Sequence, residues 1–300
     1  MWWLVVLLLA DTSRSPRAFA VPLTPTESLA VETSGSGEPV VLIPGLFGSA
    51  FGFRTLVPLL NAAGYRTIVI EPLGIGASAR PEKANYSLSA QVDRIAAVLD
   101  TLHVRGALVI GHSLGGAEAL RLAYRRRDLV KGVLSIESGP TEVTITPALK
   151  RNLRFAPWIK FFGGVRLVRR KIRNLLLASS GDSTWVTDDV VRGYTADAAR
   201  NLDATLKGYL AMAKAREPEK LAPHLVEILC PVRLLVGTAR HDSGVQDAEV
   251  RVFEQTLRSF ALDSAVGAGH FVQEEQPETV VTAVKRLRAS MTPIIAKGSL

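Results

Sequence analysis

The chain has 300 residues, of which 47% are hydrophobic, and a formal net charge of +8 at pH 7. This composition is typical of a globular protein that buries a sizeable core, and it excludes a disordered chain. The single cysteine, Cys230, excludes an internal disulfide framework and a cysteine-based zinc site.

The N-terminal residues 1–20 have the outline of a secretory signal. An apolar stretch over residues 2–10 is too short to span a bilayer, and Ala18-Phe19-Ala20 resembles the small-x-small end of such a signal. The leading segment, however, carries no Lys or Arg. Cleavage after Ala20 would make the protein secreted or periplasmic, and an uncleaved chain would be cytoplasmic. We therefore leave residues 1–20 out of the predicted fold.

From about residue 27, short apolar runs alternate with amphipathic stretches. The apolar runs predict strands at residues 40–44, 65–72, 107–113, 131–138, 232–237 and 262–266. Helical spacing predicts helices at residues 53–64, 87–102, 115–127, 247–259 and 277–289. This alternation predicts an α/β fold with a mostly parallel central sheet and helices on both faces.

The alternation stops after Pro140, and residues 141–228 contain helix-like stretches without a convincing strand. We therefore predict one α/β core, residues 21–140 and 229–300, with a helical insertion at 141–228. Nine Lys or Arg and no acidic residue lie between Lys150 and Arg173. Such a stretch is most often a solvated helix face, and the alternatives are contact with an anionic membrane surface or with acidic substrates. No recognised nucleic-acid motif accompanies it, so we predict no nucleic-acid partner.

The stretch "VIGHSLGG" contains the motif Gly-x-Ser-x-Gly around Ser113, between a predicted strand and a predicted helix. A sharp strand-to-helix turn of this kind strains the backbone of the serine, and small residues two positions away avoid a clash. The turn would expose the hydroxyl at the carboxyl end of the sheet, beside a helix N-terminus that favours negative charge. Ser113 is therefore the predicted nucleophile.

A serine nucleophile needs a base and a carboxylate that orients the base. His270 lies in a glycine-flanked loop after the last predicted strand and is the predicted base. Asp242 follows the strand at 232–237 and is the first choice of acid. Glu137, after the preceding strand, is the main alternative, and Asp247 is a more distant one.

An oxyanion needs two fixed N–H donors. The amide of Leu114, directly after the nucleophile, is one candidate. The other lies in "PGLFGS", where Leu46 or alternatively Phe47 offers a backbone amide and two glycines permit close approach.

Five segments together resemble the α/β-hydrolase superfamily, and specifically its cap-bearing members: "PGLFGS", "EPLGIGAS", "GHSLGG", "GTARHD" and "GAGHF". The resemblance implies that residues 141–228 form a helical cap over the pocket. The chain departs from the family where Pro44-Gly45 replaces His-Gly and where Glu71 replaces the common aspartate. Asp242 also comes two residues later after Gly237 than in the commonest spacing, which keeps Glu137 open as the acid.

These observations predict a serine hydrolase that cleaves a carboxylic ester, or a related lactone or thioester, without a metal or an organic cofactor. Several aromatic side chains near the expected pocket favour an apolar small-molecule substrate: Phe47, Phe51, Phe155, Trp158 and Phe161. Two alternatives remain, an acyltransferase using the same three residues and a ligand-binding protein of this fold with little turnover. The sequence leaves the oligomeric state open.

Overall fold

The computed structural model describes residues 16–140, 163–242 and 244–291. Its centre is an eight-stranded sheet in the order β1-β2-β4-β3-β5-β6-β7-β8. The strands are β1 (Arg17–Pro22), β2 (Ser28–Ser34), β3 (Glu38–Ile43), β4 (Tyr65–Glu71), β5 (Ala107–His112), β6 (Val130–Ile136), β7 (Val232–Gly237) and β8 (Phe260–Ala265). Strands β3 to β8 are mutually parallel, whereas β2 pairs antiparallel with both β1 and β4. The predicted mostly parallel sheet is therefore confirmed.

Five of the described helices overlap the predicted helices at residues 53–64, 87–102, 115–127, 247–259 and 277–289, and the others lie between the predicted elements. The described helices are α1 (Leu56–Ala62), α2 (Leu88–Thr101), α3 (Leu114–Arg125), α4 (Gly164–Ser179), α5 (Asp188–Tyr194), α6 (Ala196–Arg200), α7 (Leu202–Lys214), α8 (Asp247–Thr256), α9 (Val272–Glu275) and α10 (Pro277–Ala289). Short 3-10 helices cover Ala50–Phe53 and Ala222–Glu227. No helix of the described residues is long and apolar enough to cross a membrane.

Two hydrophobic cores lie on the two faces of the sheet, since neighbouring residues of a strand point to opposite sides. Val41 and Ile43 of β3 belong to the core that contains α2 and α3. Leu42 of the same strand belongs to the core that contains α1 and α10. This arrangement leaves the carboxyl ends of the parallel strands as the edge where loop side chains can meet.

Strands β1 and β2 both lie before the first predicted strand at residues 40–44, so the prediction misses this antiparallel end of the sheet. Arg17–Pro22 pairs with β2, and Val21 is the one buried residue of the strand. The exposed pattern of β1 carries little of the apolar signal that predicts the buried parallel strands. Cleavage after Ala20 would remove four of the six residues of β1, so a signal peptide ending there would shorten the sheet edge.

The chain between β6 and β7 forms helices α4 to α7 and no strand in its described part, residues 163–231. This agrees with the helical pattern predicted for the insertion. Residues 141–162, which include Phe155, Trp158 and Phe161, lie outside the described residues. Of the basic stretch, the described part lies on α4 and includes exposed Arg166, Arg170 and Lys171.

Candidate active site

Ser113 lies between β5 and α3 with φ 52° and ψ −119°. This backbone conformation is strained for a residue with a side chain. The Ser113 N–H donates to the Ile136 carbonyl at 2.8 Å, which ties the turn to β6. A Cβ on Gly111 would lie 2.1 Å from the Gly115 carbonyl oxygen, and one on Gly115 would lie 2.3 Å from that of Ile43. Both glycines of the motif are therefore required by close backbone packing.

The loop after β3 lies against this serine. A Cβ on Gly45 would be 3.1 Å from Ser113 Cβ, and Gly48 N–H donates to the Gly45 carbonyl at 2.9 Å, which closes a tight turn. Leu46 and Phe47 occupy that turn and are half-buried. On the other side of Ser113, Leu114 is the first residue of the 12-residue helix α3. The predicted oxyanion donors thus lie on two segments that flank Ser113.

Glu71, the last residue of β4, is hydrogen-bonded to the segment that follows β3. Its carboxylate accepts hydrogen bonds from Ala50 N–H at 2.7 Å and Ala77 N–H at 2.6 Å. Burial raises the pKa of Glu71 to about 6, although the two amides act in the opposite direction. The residue that departs from the family pattern therefore joins the loops after β3 and β4.

His270 is held over the same sheet edge by its backbone. Its N–H donates to the Ser179 carbonyl at 2.7 Å, and its carbonyl accepts a hydrogen bond from His112 Nε2 at 2.9 Å. The imidazoles of His112 and His270 lie 4.8 Å apart between ring centroids. Since His112 directly precedes Ser113, this contact places His270 beside the nucleophile turn.

His112 supports the backbone of His270 through its ring. Burial, together with the nearby His270, lowers the pKa of His112 to about 3, so its ring is neutral at physiological pH. A neutral ring whose Nε2 faces a carbonyl oxygen must carry its proton on Nε2. His112 therefore anchors the His270 backbone and is not the base.

The two candidate acids are placed differently. Asp242 is exposed in the loop after β7. Glu137 is buried directly after β6, and its Oε2 lies 3.8 Å from His270 Nδ1. Of the two candidate acids, Glu137 is therefore the one whose carboxylate faces His270, whereas the late position of Asp242 leaves it exposed to solvent.

The Glu137 carboxylate is fixed and charged. Its backbone has φ 52°, a strained conformation for a non-glycine residue, and its Oε1 accepts Gly237 N–H at 2.5 Å. Burial alone would raise its pKa, but the imidazoles of His241 and His270 and the Gly237 amide lower the pKa of Glu137 to about 2. Glu137 is therefore ionised throughout the physiological pH range.

His241 was not singled out from the sequence as a site residue. Its Nε2 lies 3.4 Å from Glu137 Oε2, and its side chain is almost completely buried. The loop after β7 thus contributes a histidine to the site where an aspartate was expected. The only sequence signal was its position one residue before Asp242.

The helical insertion contributes apolar side chains to this edge. Phe47 packs edge-on against Tyr209 of α7, with ring centroids 5.0 Å apart, and Phe51 packs edge-on against Tyr194 of α5 at 5.7 Å. Phe271, next to His270, also contacts Tyr194. The two described aromatic residues that were expected near the pocket therefore lie between the core and the insertion.

The carboxyl ends of the parallel strands thus carry a strained serine turn and a histidine that faces a buried glutamate. A model of the Alpha/beta hydrolase family matches residues 40–283. The chain belongs to the α/β-hydrolase family.

Relatives in this family act on different bonds. A 120-residue segment is 36% identical to 2-hydroxymuconate semialdehyde hydrolase of Pseudomonas sp. (strain CF600), covering 39% of this chain and 42% of that protein. A 106-residue segment is 32% identical to sn-1-specific diacylglycerol lipase ABHD11 of Xenopus laevis, covering 35% of this chain and 33% of that protein. Each alignment thus spans less than half of the relative. Among solved structures, epoxide hydrolase CorEH is similar with a TM-score of 0.76 at 19% identity, covering 93% of this chain and 100% of that one, which shows the fold alone.

Proposed function

We propose that this protein is a serine hydrolase that cleaves a carboxylic ester through an acyl-enzyme intermediate. The observation that carries the proposal is the strained Ser113 turn beside a histidine whose Nδ1 faces an ionised, buried Glu137. Such a pair is what a serine hydroxyl requires in order to become nucleophilic.

The first half of the reaction forms the acyl-enzyme. Ser113 Oγ attacks the ester carbonyl while His270 Nε2 accepts the hydroxyl proton, and Glu137 stabilises the resulting imidazolium through Nδ1–H. The amides of Leu114 and Leu46 stabilise the negative oxygen, with Phe47 as the alternative donor. The tetrahedral intermediate then collapses, and His270 gives its proton to the departing alcohol.

The second half releases the acid. Water attacks the acyl carbonyl, His270 accepts a proton from that water, and the same two amides hold the second oxyanion. His270 then returns the proton to Ser113 as the serine ester bond breaks. The cycle ends with the carboxylic acid released and the three side chains in their starting state.

Three considerations favour an ester among the bonds that this family cleaves. The nucleophile is a serine and not the aspartate of the epoxide-hydrolase relatives, and the glycine-rich oxyanion loop of the carbon–carbon bond hydrolases is absent from the sequence. The similarity to a diacylglycerol lipase points in the same direction. Aromatic contacts between Phe47, Phe51 and the insertion favour an apolar acyl or alcohol group.

The test is hydrolysis of p-nitrophenyl esters from acetyl to dodecanoyl by the wild type, Ser113→Ala and Ser87→Ala. Ser87 is the matched control, since its hydroxyl caps α2 by accepting Ala90 N–H. We expect Ser113→Ala to lose activity by about 10⁶-fold, the scale of a lost nucleophile, and Ser87→Ala to retain it. Equal rates for the wild type and Ser113→Ala would refute the proposal.

Acyl transfer is distinguished in the same assay by adding an alcohol acceptor. Hydrolysis predicts that free acid remains the main product when the acceptor is present. A new ester formed in place of the acid would assign the same residues to an acyltransferase.

A further inference from the structure

The Glu137 carboxylate faces two imidazoles, whereas a serine hydrolase uses one. Oε1 is occupied by Gly237 N–H, and Oε2 faces His270 Nδ1 at 3.8 Å and His241 Nε2 at 3.4 Å. One ligand atom from each of the three side chains lies within 4.8 Å of the other two. The second histidine is thus surplus to the proposed proton transfer.

The spacing of these three atoms is close to that of a zinc site. In a tetrahedral site with bonds of about 2.0–2.1 Å, neighbouring ligand atoms are about 3.3–3.4 Å apart. The His241–Glu137 distance already has this value, and the His270–Glu137 distance exceeds it by a few tenths of an ångström. The two imidazole nitrogens lie within 4.8 Å of each other, so zinc binding would require the His241 and His270 side chains to turn toward a common point.

Glu137 Oε2 and His270 Nδ1 both face this point and are buried, and the 3.8 Å between them is too long for the hydrogen bond that the proposed reaction would use. The Glu137 side chain is 1% exposed, and within the described residues neither Glu137 Oε2 nor His270 Nδ1 makes a hydrogen bond. Buried polar atoms normally have a partner. A cation bound between the three side chains would satisfy both atoms.

We propose that Glu137, His241 and His270 form an inhibitory site for Zn²⁺. Two imidazoles and one carboxylate are a donor set that zinc takes, with water free to complete the tetrahedron, whereas Mg²⁺ prefers oxygen ligands. The loops after β6, β7 and β8 each supply one ligand.

Zinc at this point would stop the proposed reaction. Coordination through Nδ1 requires that its lone pair face the metal, so the imidazole proton moves from Nδ1 to Nε2. His270 Nε2 then cannot accept the proton of Ser113, and Glu137 no longer stabilises an imidazolium. This consequence rests on the proposed function, but the zinc site itself does not.

The test uses the untagged, chelator-treated chain as wild type, His241→Gln and His224→Gln. His224 is the matched control because it contacts Glu227 and Glu219, the other histidine–carboxylate group of the described residues. Zn²⁺ binding is measured by calorimetry and ester hydrolysis is measured over the same Zn²⁺ range, with Mg²⁺ as the control cation.

We expect the wild type and His224→Gln to bind one Zn²⁺ per chain. Both should lose ester hydrolysis over the same range of Zn²⁺ concentration in which binding occurs. His241→Gln should need at least about 10-fold more Zn²⁺ for both effects, the lower limit for loss of a group that only orients a ligand. Equal Zn²⁺ sensitivity of His241→Gln and wild type, or no binding to the wild type, would overturn the site.

X-ray absorption of the zinc-loaded wild type tests the ligand set without relying on a variant. Two imidazole nitrogens and a carboxylate oxygen are expected, and a shell with one imidazole or none would overturn the assignment. If zinc binds as described but no ester is hydrolysed, the site stands and the proposed function fails. If esters are hydrolysed and zinc does not inhibit the reaction, the proposed function stands and the inhibitory zinc site fails.

Discussion

Two buried glutamates lie at the carboxyl ends of strands in the same sheet, and their pKa values move in opposite directions. Glu71 ends β4 and has its pKa raised to about 6, whereas Glu137 follows β6 and has its pKa lowered to about 2. At Glu71, two neutral amides do not offset burial, and Asp197 and Glu32 add further negative charge. At Glu137, two imidazoles and one amide outweigh burial.

The Glu71 carboxylate is suited to a structural role, whereas the Glu137 carboxylate is suited to chemistry. Glu71 spans two loops and is partly protonated near neutral pH, which suits a fixed hydrogen-bond acceptor. Glu137 faces ring nitrogens that can become cationic, which suits a group that stabilises an imidazolium. Burial at the sheet edge therefore does not by itself identify the functional acid, and the partners of the carboxylate do.

The largest expected effect is on turnover. We expect Glu137→Gln to lower kcat by about 10³–10⁴-fold, as the loss of a triad carboxylate does, because the base would lose its orientation and its counter-charge. Asp242→Asn is the matched control, and its kcat should stay close to wild type. Steady-state hydrolysis of p-nitrophenyl butyrate measures both, and a greater loss in Asp242→Asn would restore that residue as the acid.

The next effect is on stability and concerns the packing around Glu71. Gly76 has φ 55°, and a Cβ there would lie 2.1 Å from the Glu71 carboxylate. Gly106 has a similar φ of 56°, but a Cβ there would meet no other atom within 4 Å, so Gly106→Ala is the matched control for backbone strain alone. We expect Gly76→Ala to lower the free energy of unfolding well beyond the roughly 1 kcal/mol of backbone strain that Gly106→Ala costs. Urea unfolding measures both, and equal losses would contradict the contact.

The pH dependence of stability should carry the sign of the Glu71 shift. Because the folded pKa of about 6 exceeds the ordinary glutamate pKa of 4.5, folding takes up a proton between these values, and stability falls as pH rises through that window. The contribution is up to about 2 kcal/mol. Glu71→Gln lacks this titration, so its deficit relative to wild type should shrink between pH 4.5 and pH 7.5 in urea unfolding. A deficit that is constant or grows would show that the Glu71 pKa is not raised.

The smallest expected effect is on membrane binding by the basic helix α4, which involves neither glutamate. If its cationic face contacts anionic lipid, the wild type should bind phosphatidylserine vesicles at low salt. Each contacting charge should add about 1 kcal/mol to the binding free energy. Charge reversal at Arg170 and Lys171 should abolish that binding and leave ester hydrolysis intact. Salt-independent or unchanged binding would leave α4 as a solvated helix.

Much of the fold and of the nucleophile turn could be predicted because their signals are local. Gly111 and Gly115 flank Ser113 within five residues, and the predicted strand at 232–237 and helix at 277–289 match β7 and α10 at both ends. The missed strands β1 and β2 form the antiparallel end of the sheet, where β1 is almost entirely exposed and β2 is buried only at some positions, so neither has a continuous apolar run.

The acid and its second imidazole could not be predicted in the same way. Glu137 and His241 are 104 positions apart, and what joins them is the adjacency of β6 and β7 in the sheet. Asp242 lies in the motif that resembles the family's acid loop, but the two extra residues after Gly237 leave it exposed and place His241 inside. Spacing along the chain does not encode which of two neighbouring side chains turns inward.

The most direct test of the account is the low-field NMR resonance of the His270 Nδ1 proton in nitrogen-15-labelled protein. A hydrogen bond from this nitrogen to an ionised carboxylate moves its proton far downfield, and assignment against His241→Gln removes ambiguity. We predict that the resonance is present in wild type and Asp242→Asn and lost in Glu137→Gln. Its loss in Asp242→Asn with retention in Glu137→Gln would contradict the assignment of Glu137 as the acid that orients the base.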